Sequence, residues 1–473
     1  MRKFFIVTLL VCAATLAADA QSGRTVTQNP DETTIEKTSA TLTAEQLFDE
    51  ANTYARKKFT EFETKKIAYS EKLRLQTVQE QKQLAAKNAA ILLARNNLAG
   101  DDLYFLGMLQ WIAENSDAAT EALKKFAATE NPNIEKLQAT RSVLVILAAR
   151  RKNFDEAEKT LNDYLNANPT KARERMRMES ELAENYRAEK NLLKAAAHAE
   201  EAFRSAKAGF QTAASRAAGF SELIENGMTV FEIYRDEGKT EKADATLDDL
   251  QKTGAFVEST GIYYLAVNER IKYLVETGRK SAVAQFYKDS LENAAKDFKS
   301  KGWQDDILRR LKGREKHYEL LGTQAPELAE VSAWLPGEAK TLASLRGKVV
   351  LLEFWATWCG PCFGGFPALT GWSQKFEKDG LVILGMTRYY GEAEGTQVTE
   401  EKEIEYLREF KKENNLPYDF VVGKERLNHL NYGVTTLPTT VIIDRKGIVR
   451  YIEAGSGKEE EIQKTIEKLL AEK

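Results

Sequence analysis

From Ala44 to about Leu321, apolar residues recur every three or four positions among Ala, Leu, Glu, Lys and Arg, and proline interrupts only at Pro132 and Pro169. That spacing lines one face of an α-helix, and these residue types lose little freedom in one, so it predicts a series of long amphipathic helices. From about Thr323 the period changes. Short apolar runs, "KVVLLEF", "LVILGM", "DFVVG" and "TTVIIDRKGIVRYIEAG", alternate with helical stretches, and Pro, Gly, Trp and β-branched residues rise together. Strands alternating with helices predict an α/β domain. The closing "EEEIQKTIEKLL" puts Ile462, Ile466, Leu469 and Leu470 on one face, as a last helix packed on a sheet requires. The expected fold class is α+α/β, an all-α array at 43–321 followed by an α/β domain at 322–473 that holds its own core.

The helical part repeats. Asn115, Asn153 and Asn191 are spaced 38 apart, as are Ala119, Ala157 and Ala195, with Leu123 and Leu161 in register. Gly238 with Ala243, and Gly278 with Ala282, read as looser copies. In "KNFDEAEKTLNDYLNANP" the order Phe154, Ala157, Leu161, Leu165, Pro169 resembles the second helix of a tetratricopeptide repeat, in which a small alanine lets two helices approach and proline closes the unit. The period is longer than that family's usual one, so the expectation is of tetratricopeptide-like helical hairpins. Such an array serves equally well as a spacer or as a concave partner-binding surface.

The amino terminus adds a compartment. "MRKFFIVTLLVCAATLAADAQ" has a basic start at Arg2 and Lys3, an apolar stretch from Phe4 to Ala18 and small residues at Ala18 and Ala20, which together read as a secretory signal peptide over 1–20. The apolar run is shorter than the roughly 20 residues a spanning helix needs. Cys12 lacks the small residue before it that a lipoprotein signal carries. Residues 21–42 are polar and Thr-rich without an apolar period, and read as a flexible spacer. The protein is thus expected in the periplasm or another extracytoplasmic space.

Composition narrows the class further. At 473 residues the chain exceeds one ordinary core, and its 43% hydrophobic content can fill more than one. Its 68 basic and 71 acidic residues are interspersed and leave a net charge of −3, which gives no basic face for nucleic acid.

Once Cys12 leaves with the signal, Cys359 and Cys362 are the only cysteines of the chain. They lie in "EFWATWCGPCFGGFP" and can pair only with each other or with another molecule. A Cys-x-x-Cys is half of a zinc site, and the other half is missing: His198, His317 and His429 are far apart in helix-like contexts. No metal or other cofactor is expected. A redox dithiol fits better. "KVVLLEF" reads as a buried strand and the segment from Cys362 as a helix, which puts Cys359 at a helix N-terminus, where unpaired N–H groups and the helix dipole stabilise a thiolate. Cys362, three residues on, lies over the same face and can close a disulfide. Pro361 suits the first turn because its missing N–H has no intrahelical acceptor to lose.

"FWATWCGPC", Phe354 to Cys362, resembles the thioredoxin active site. The wider frame of "GTQAPEL" at 322–328, "LASLRGKVVLLEFWATWCGPC" at 342–362 and "YGVTTLPTTVIIDRKGIVRYIEAG" at 432–455 resembles the exported TlpA/ResA-like thiol-disulfide oxidoreductases of that superfamily. The resemblance spans about Gly322 to Lys473. It implies a thioredoxin fold, Cys359 as attacking nucleophile, Cys362 as resolving thiol and a redox-active disulfide between them. It also implies a cis proline at Pro438 after Leu437, and a helix-kinking proline at Pro367. Trp358, Gly360, Pro361, Leu437 and Pro438 are the expected substrate-facing residues. Residues 386–420 take the place of the branch's strand-and-helix insert. One departure stands out: many members carry a glutamate after the second cysteine, where this chain reads "FGGFP" with Gly364 and Gly365.

Glu353 is the only charge between Val349 and Trp358, in a strand expected to be covered on both faces. It occupies the place of thioredoxin's buried aspartate, which implies relay of the resolving thiol's proton; the alternative is an edge carboxylate reaching water. Trp355 reads as core and Trp358 as surface.

The combined expectation is an exported protein thiol-disulfide oxidoreductase acting as a reductase on disulfide-containing proteins. Its Gly-Pro dipeptide resembles that of thioredoxin, which implies a potential nearer ~−270 mV than ~−120 mV. A membrane thiol partner must then supply electrons. One alternative is a helical-repeat binding protein with a thioredoxin-fold interaction module. Another is a thiol peroxidase, but Leu352 and Thr357 do not match the Pro-x-x-x-Thr-x-x-Cys pattern.

Overall fold

A computed structural model describes residues 42–95 and 97–472. The signal peptide expected at 1–20, and all of the spacer except Leu42, lie outside the described residues. The chain divides into two compact units at 246/247.

The first unit is a run of helices: α1 (Ala44–Thr64), α2 (Glu71–Leu93), α3 (Asp101–Ile112), α4 (Ser116–Ala127), α5 (Ile134–Arg150), α6 (Phe154–Leu165), α7 (Ala172–Ala188), α8 (Leu192–Gly209) and α9 (Arg216–Asp236). Helix α10 (Thr240–Phe256) contains the division. Neighbours pack as pairs, α3 on α4, α5 on α6 and α7 on α8. The repeated asparagines mark the turns of these pairs. Asn115, Asn153 and Asn191 are the N-cap residues of α4, α6 and α8. Before each stands a residue in the left-handed region, Glu114, Lys152 and Lys190, with φ of 60°, 61° and 62°. Each asparagine N–H reaches back to the preceding helix, to Gln110, Ala148 and Tyr186 O at 2.9 Å. One turn, a Schellman closure whose last residue stands at the N-cap of the next helix, is thus used at all three; Asn115 and Asn191 also accept from the helix N–H groups by side chain, while Asn153 does not.

The looser copies at Gly238 and Gly278 use the same turn, with φ of 69° and 75°. It recurs at Glu258, which no sequence spacing revealed. Ala119, Ala157, Ala195 and Ala243 are buried at helix contacts. Ala282 is exposed, and Val283 takes the buried position in that copy.

The second unit holds α11 (Thr260–Glu276), α12 (Val283–Asp297), α13 (Lys301–Lys312), α14 (Glu315–Leu320) and a mixed sheet. Its elements are β1 (Val331–Leu335), β2 (Val349–Phe354), α15 (Gly360–Phe376), β3 (Leu381–Arg388), a small hairpin of β4 (Glu392–Ala393) and β5 (Thr396–Gln397), α16 (Glu400–Glu413), β6 (Asp419–Gly423), α17 (Leu427–Asn431), β7 (Thr439–Ile443), β8 (Val449–Ala454) and α18 (Glu459–Ala471). The strand order is β1-β6-β3-β2-β7-β8. Strands β6, β3 and β2 run parallel; β1, β7 and β8 join antiparallel. Every expected strand is present. β1 is an additional one, its Trp334 Nε1 donating to Asp419 Oδ2 at 2.8 Å across the β1–β6 pair.

One sheet face carries Val349, Leu351 and Trp355 and packs with Leu369 and Trp372 of α15 and Ile462, Ile466 and Leu469 of α18. The other face carries Val350, Leu352 and Phe354, and its covering comes from before the expected boundary. Tyr263, Val267 and Ile271 of α11, Tyr287 of α12, Ile307 and Leu311 of α13 and Tyr318 of α14 belong to the same core as these sheet residues. In that layer Lys272 of α11 meets Glu269 at 3.0 Å and Glu453 of β8 at 2.8 Å. Burial works against the Lys272 charge, but the carboxylates outweigh it and hold its pKa well above the ordinary lysine value. Gly433, at φ 67°, lets the loop after α17 lie against α14. A Cβ there would come within 2.8 Å of Lys316 and 2.9 Å of His317. The boundary at 321/322 marks a change of composition, while the apolar core runs across it, because an amphipathic helix does not reveal in its own period which surface it covers.

A chain beginning at Thr240 should therefore unfold in a single denaturant transition. One beginning at 322 should lose roughly 5 kcal/mol or more, at about 1.5–3 kcal/mol for each large apolar side chain uncovered, and should bind a hydrophobic dye. Equal midpoints for the two would show that α11–α14 contribute nothing to the sheet.

Candidate functional site

The site begins where β2 ends. Trp355 N donates to Met386 O at 3.0 Å, continuing the ladder to β3 for one residue. The chain then turns, Cys359 N bonding to Ala356 O at 3.0 Å, and α15 starts at Gly360 with Cys359 as its N-cap residue. Pro361 lies in the first turn, where it leaves no acceptor unmatched. Cys362 N closes on Cys359 O at 2.9 Å, and the two sulfurs form a disulfide with the Cα atoms 5.4 Å apart. Both cysteines are nearly covered, yet only Cys359 of the pair lines an open cavity of about 450 Å³. Cys359 is thus the cysteine of the pair that stands both at the N-terminus of α15 and on the cavity wall, where the unpaired N–H groups and dipole of a helix start favour a thiolate.

The cavity wall carries Trp358, Gly360, Pro361 and Leu437 alongside Cys359. Trp358, 57% exposed, has its ring edge-on to Tyr390 at 5.4 Å. The Leu437–Pro438 peptide is cis. β7 starts at the next residue, Thr439, paired with Phe354. Pro367 lies inside α15. Gly364 and Gly365 have open space where a side chain would project, so nothing around them forbids the acid found there in many members of the resembled branch.

Glu353 alternates in β2 onto the face that bears Val349 and Leu351, the face whose core also takes in both cysteines. Its neighbours in the ladder are Gly385 of β3 and Thr440 of β7. Gly385 matters by its smallness: a Cβ would stand 3.0 Å from Trp355 Nε1 and 3.0 Å from the Phe420 ring. Thr440 Oγ1 donates to Glu353 Oε2 at 2.6 Å. Burial pushes the Glu353 carboxyl up from its ordinary value near 4.5 to about 7; the Thr440 hydrogen bond opposes this and the charge of Glu459 adds to it. Tyr418 hangs near the same carboxylate, with its hydroxyl buried and unbonded among the described residues.

Of the residues expected from the sequence, Trp358, Cys359, Gly360, Pro361 and Leu437 share one opening, while Cys362, Pro438 and Glu353 are not on its wall. Others that sequence reasoning did not assign to the site share the wall, among them Arg388, Tyr390, Arg426 and His429, the last weighed there only as a metal ligand. They sit at or just beyond the carboxyl ends of the parallel strands β3 and β6. Sites in open parallel sheets form at those ends, and that is the signal that could have found them.

The Redoxin family profile matches residues 320–470. Thioredoxin-like protein YneN of Bacillus subtilis is 31% identical over 147 residues, 31% of this chain and 78% of the relative. Thiol-disulfide oxidoreductase ResA of Geobacillus thermodenitrificans is 32% identical over 155 residues, 33% of this chain and 81% of the relative. Among solved structures, a thioredoxin-like superfamily protein aligns at 26% identity with a TM-score of 0.28, over 32% of this chain and 97% of its own.

Because the folded carboxyl of Glu353 titrates near 7 and an unfolded one near 4.5, the native state binds more protons between those values. Stability should therefore fall as pH rises through that window. The loss approaches about 3 kcal/mol once both states are ionised. Glu353→Gln should flatten the dependence and raise the unfolding midpoint at pH 8, measured by denaturant titration across pH. Parallel pH curves for the two proteins would show that Glu353 is solvated.

Proposed function

The chain belongs to the TlpA/ResA-like thiol-disulfide oxidoreductases of the thioredoxin superfamily, and from that premise we propose that it is an exported reductase of protein disulfides. The observation that carries this reading is the asymmetry of the pair, Cys359 open to the cavity at a helix N-terminus and Cys362 enclosed. In the reduced form the Cys359 thiolate attacks one sulfur of a substrate disulfide. A bond forms between that sulfur and Cys359 Sγ, and the other substrate sulfur leaves as a thiolate and takes up a proton. Cys362, deprotonated, then attacks Cys359 Sγ. This restores the protein disulfide and releases the second substrate thiol, so two electrons pass from the protein to the substrate.

Glu353 is proposed to accept the proton of Cys362. A carboxyl titrating near 7 can both take and return a proton at neutral pH. The cis Leu437–Pro438 segment beside the dithiol is proposed to present backbone to an extended substrate. Recycling requires an external dithiol, and for an exported protein this implies a membrane thiol partner. Export rests on the signal peptide expected at 1–20; no helix among the described residues is long and apolar enough to cross a membrane. The helical pairs of the first unit are proposed to engage the protein partner.

Cys359→Ser should abolish insulin reduction. Cys362→Ser should attack once and remain joined to its substrate, seen as a mixed disulfide on non-reducing gels. Glu353→Gln should slow the resolving step about tenfold or more, within the 10²–10⁴ range of general acid–base catalysis. Equal trapping by the two cysteine variants would overturn the assignment of roles.

A further inference from the structure

Part of the cavity wall is basic, lined by Arg388, Arg426 and His429. His429 is 7% exposed, lines the cavity, and has no hydrogen-bond partner on either ring nitrogen among the described residues. A buried polar group without a partner costs free energy, and this ring, edge-on to Phe354 at 5.3 Å, would recover that cost by bonding to a ligand in the cavity. Arg388 stands beside it with its guanidinium 4.1 Å over the Tyr390 ring, and one amino group donates to Tyr389 O at 3.0 Å. A guanidinium has five N–H donors, and beyond this bond and the one to the Tyr390 hydroxyl the others remain available. Arg426 approaches from the turn before α17. Among the described residues neither arginine forms an ion pair with a carboxylate. The nearby buried Glu403 is already engaged, accepting from Tyr390 N at 2.9 Å and Gly391 N at 2.8 Å. That engagement pins the loop that carries Tyr390.

Burial, and then the charges of Arg388 and Arg426, depress the His429 pKa to about 4. The imidazole is therefore neutral, with one N–H to donate. An anion bound by the guanidiniums would offset their repulsion, which is secondary to burial, and so raise the ring's pKa.

We infer that this wall is a subsite for a carboxylate of the substrate, held by Arg388, Arg426 and His429 while Cys359 attacks the neighbouring disulfide. The substrate is then a polypeptide with an acidic side chain next to its cystine. This rests on the proposed reductase activity and adds to it the chemistry of the substrate. The bare Gly364 and Gly365 agree with it, since an acid at either place would add negative charge to the helix bearing the dithiol.

The arginines could instead serve the Cys359 thiolate, and the test separates the two roles. The full chain, reduced, is given dithiodipropionate, bis(hydroxyethyl) disulfide and cystamine, which are anionic, neutral and cationic. The subsite requires the anionic disulfide to be reduced fastest. Arg388→Gln and Arg426→Gln should each lower its kcat/KM about tenfold, the scale of a lost charge-assisted hydrogen bond, and leave the neutral disulfide within about twofold. An equal fall for all three disulfides would assign the arginines to the thiolate and overturn the subsite.

A second measurement does not depend on turnover. In the Cys359→Ser, Cys362→Ser protein, dithiodipropionate should shift the His429 ring signals in nuclear magnetic resonance and raise the ring's pKa, whereas bis(hydroxyethyl) disulfide should not. No disulfide reduced by the unmodified chain would refute the reductase reading alone. No preferential response of His429 to the anionic disulfide would refute the subsite alone.

Discussion

Everything at the site depends on one strand being dry on both faces. β2 gives Val350, Leu352 and Phe354 to one core and Val349, Leu351 and Trp355 to the other, all at 3% exposure or less. A strand so enclosed has no solvated position for a charge, so the carboxyl at Glu353 settles its protonation by desolvation. The same enclosure fixes where β2 ends, and with it the orientation of the turn that delivers Cys359 to the start of α15. Rigidity of the dithiol and readiness of the acid on β2 have a single origin.

The chemistry divides into a covered half and an open half. The disulfide belongs to an apolar layer that includes residues of β2, the strand that carries one carboxyl of near-neutral pKa. Cys359 also lines a cavity whose polar wall is cationic. The buried carboxyl belongs to the covered half, and the two arginines and His429 line the open one. Tyr390 ties the open half together, because its ring touches both the indole of Trp358 and the guanidinium of Arg388.

Much of this was legible in the sequence where it is local. The asparagines at 115, 153 and 191 announced the repeated turns, because a helix cap is a short-range matter. The strands were legible as apolar runs, and Glu353 as the one charge inside one of them. What stayed hidden is non-local. No period states that Val267 and Ile271 lie against the sheet, nor that Arg388 and His429, 41 residues apart, share a wall. β1 was missed because its five residues, only two of them fully buried, carry too little alternation to stand out at an edge.

The core shared by α11–α14 and the sheet also bears on how such a protein could have been assembled and could be reassembled. The familiar dithiol segment begins near residue 322, and a genetic crossover placed there would look natural from sequence alone. It would instead part a sheet from its own lid. The heritable piece that can move between chains as a working whole is longer and takes in the last helical pairs. In this chain those helices have ceased to be a neighbour of the redox fold and have become one of its layers.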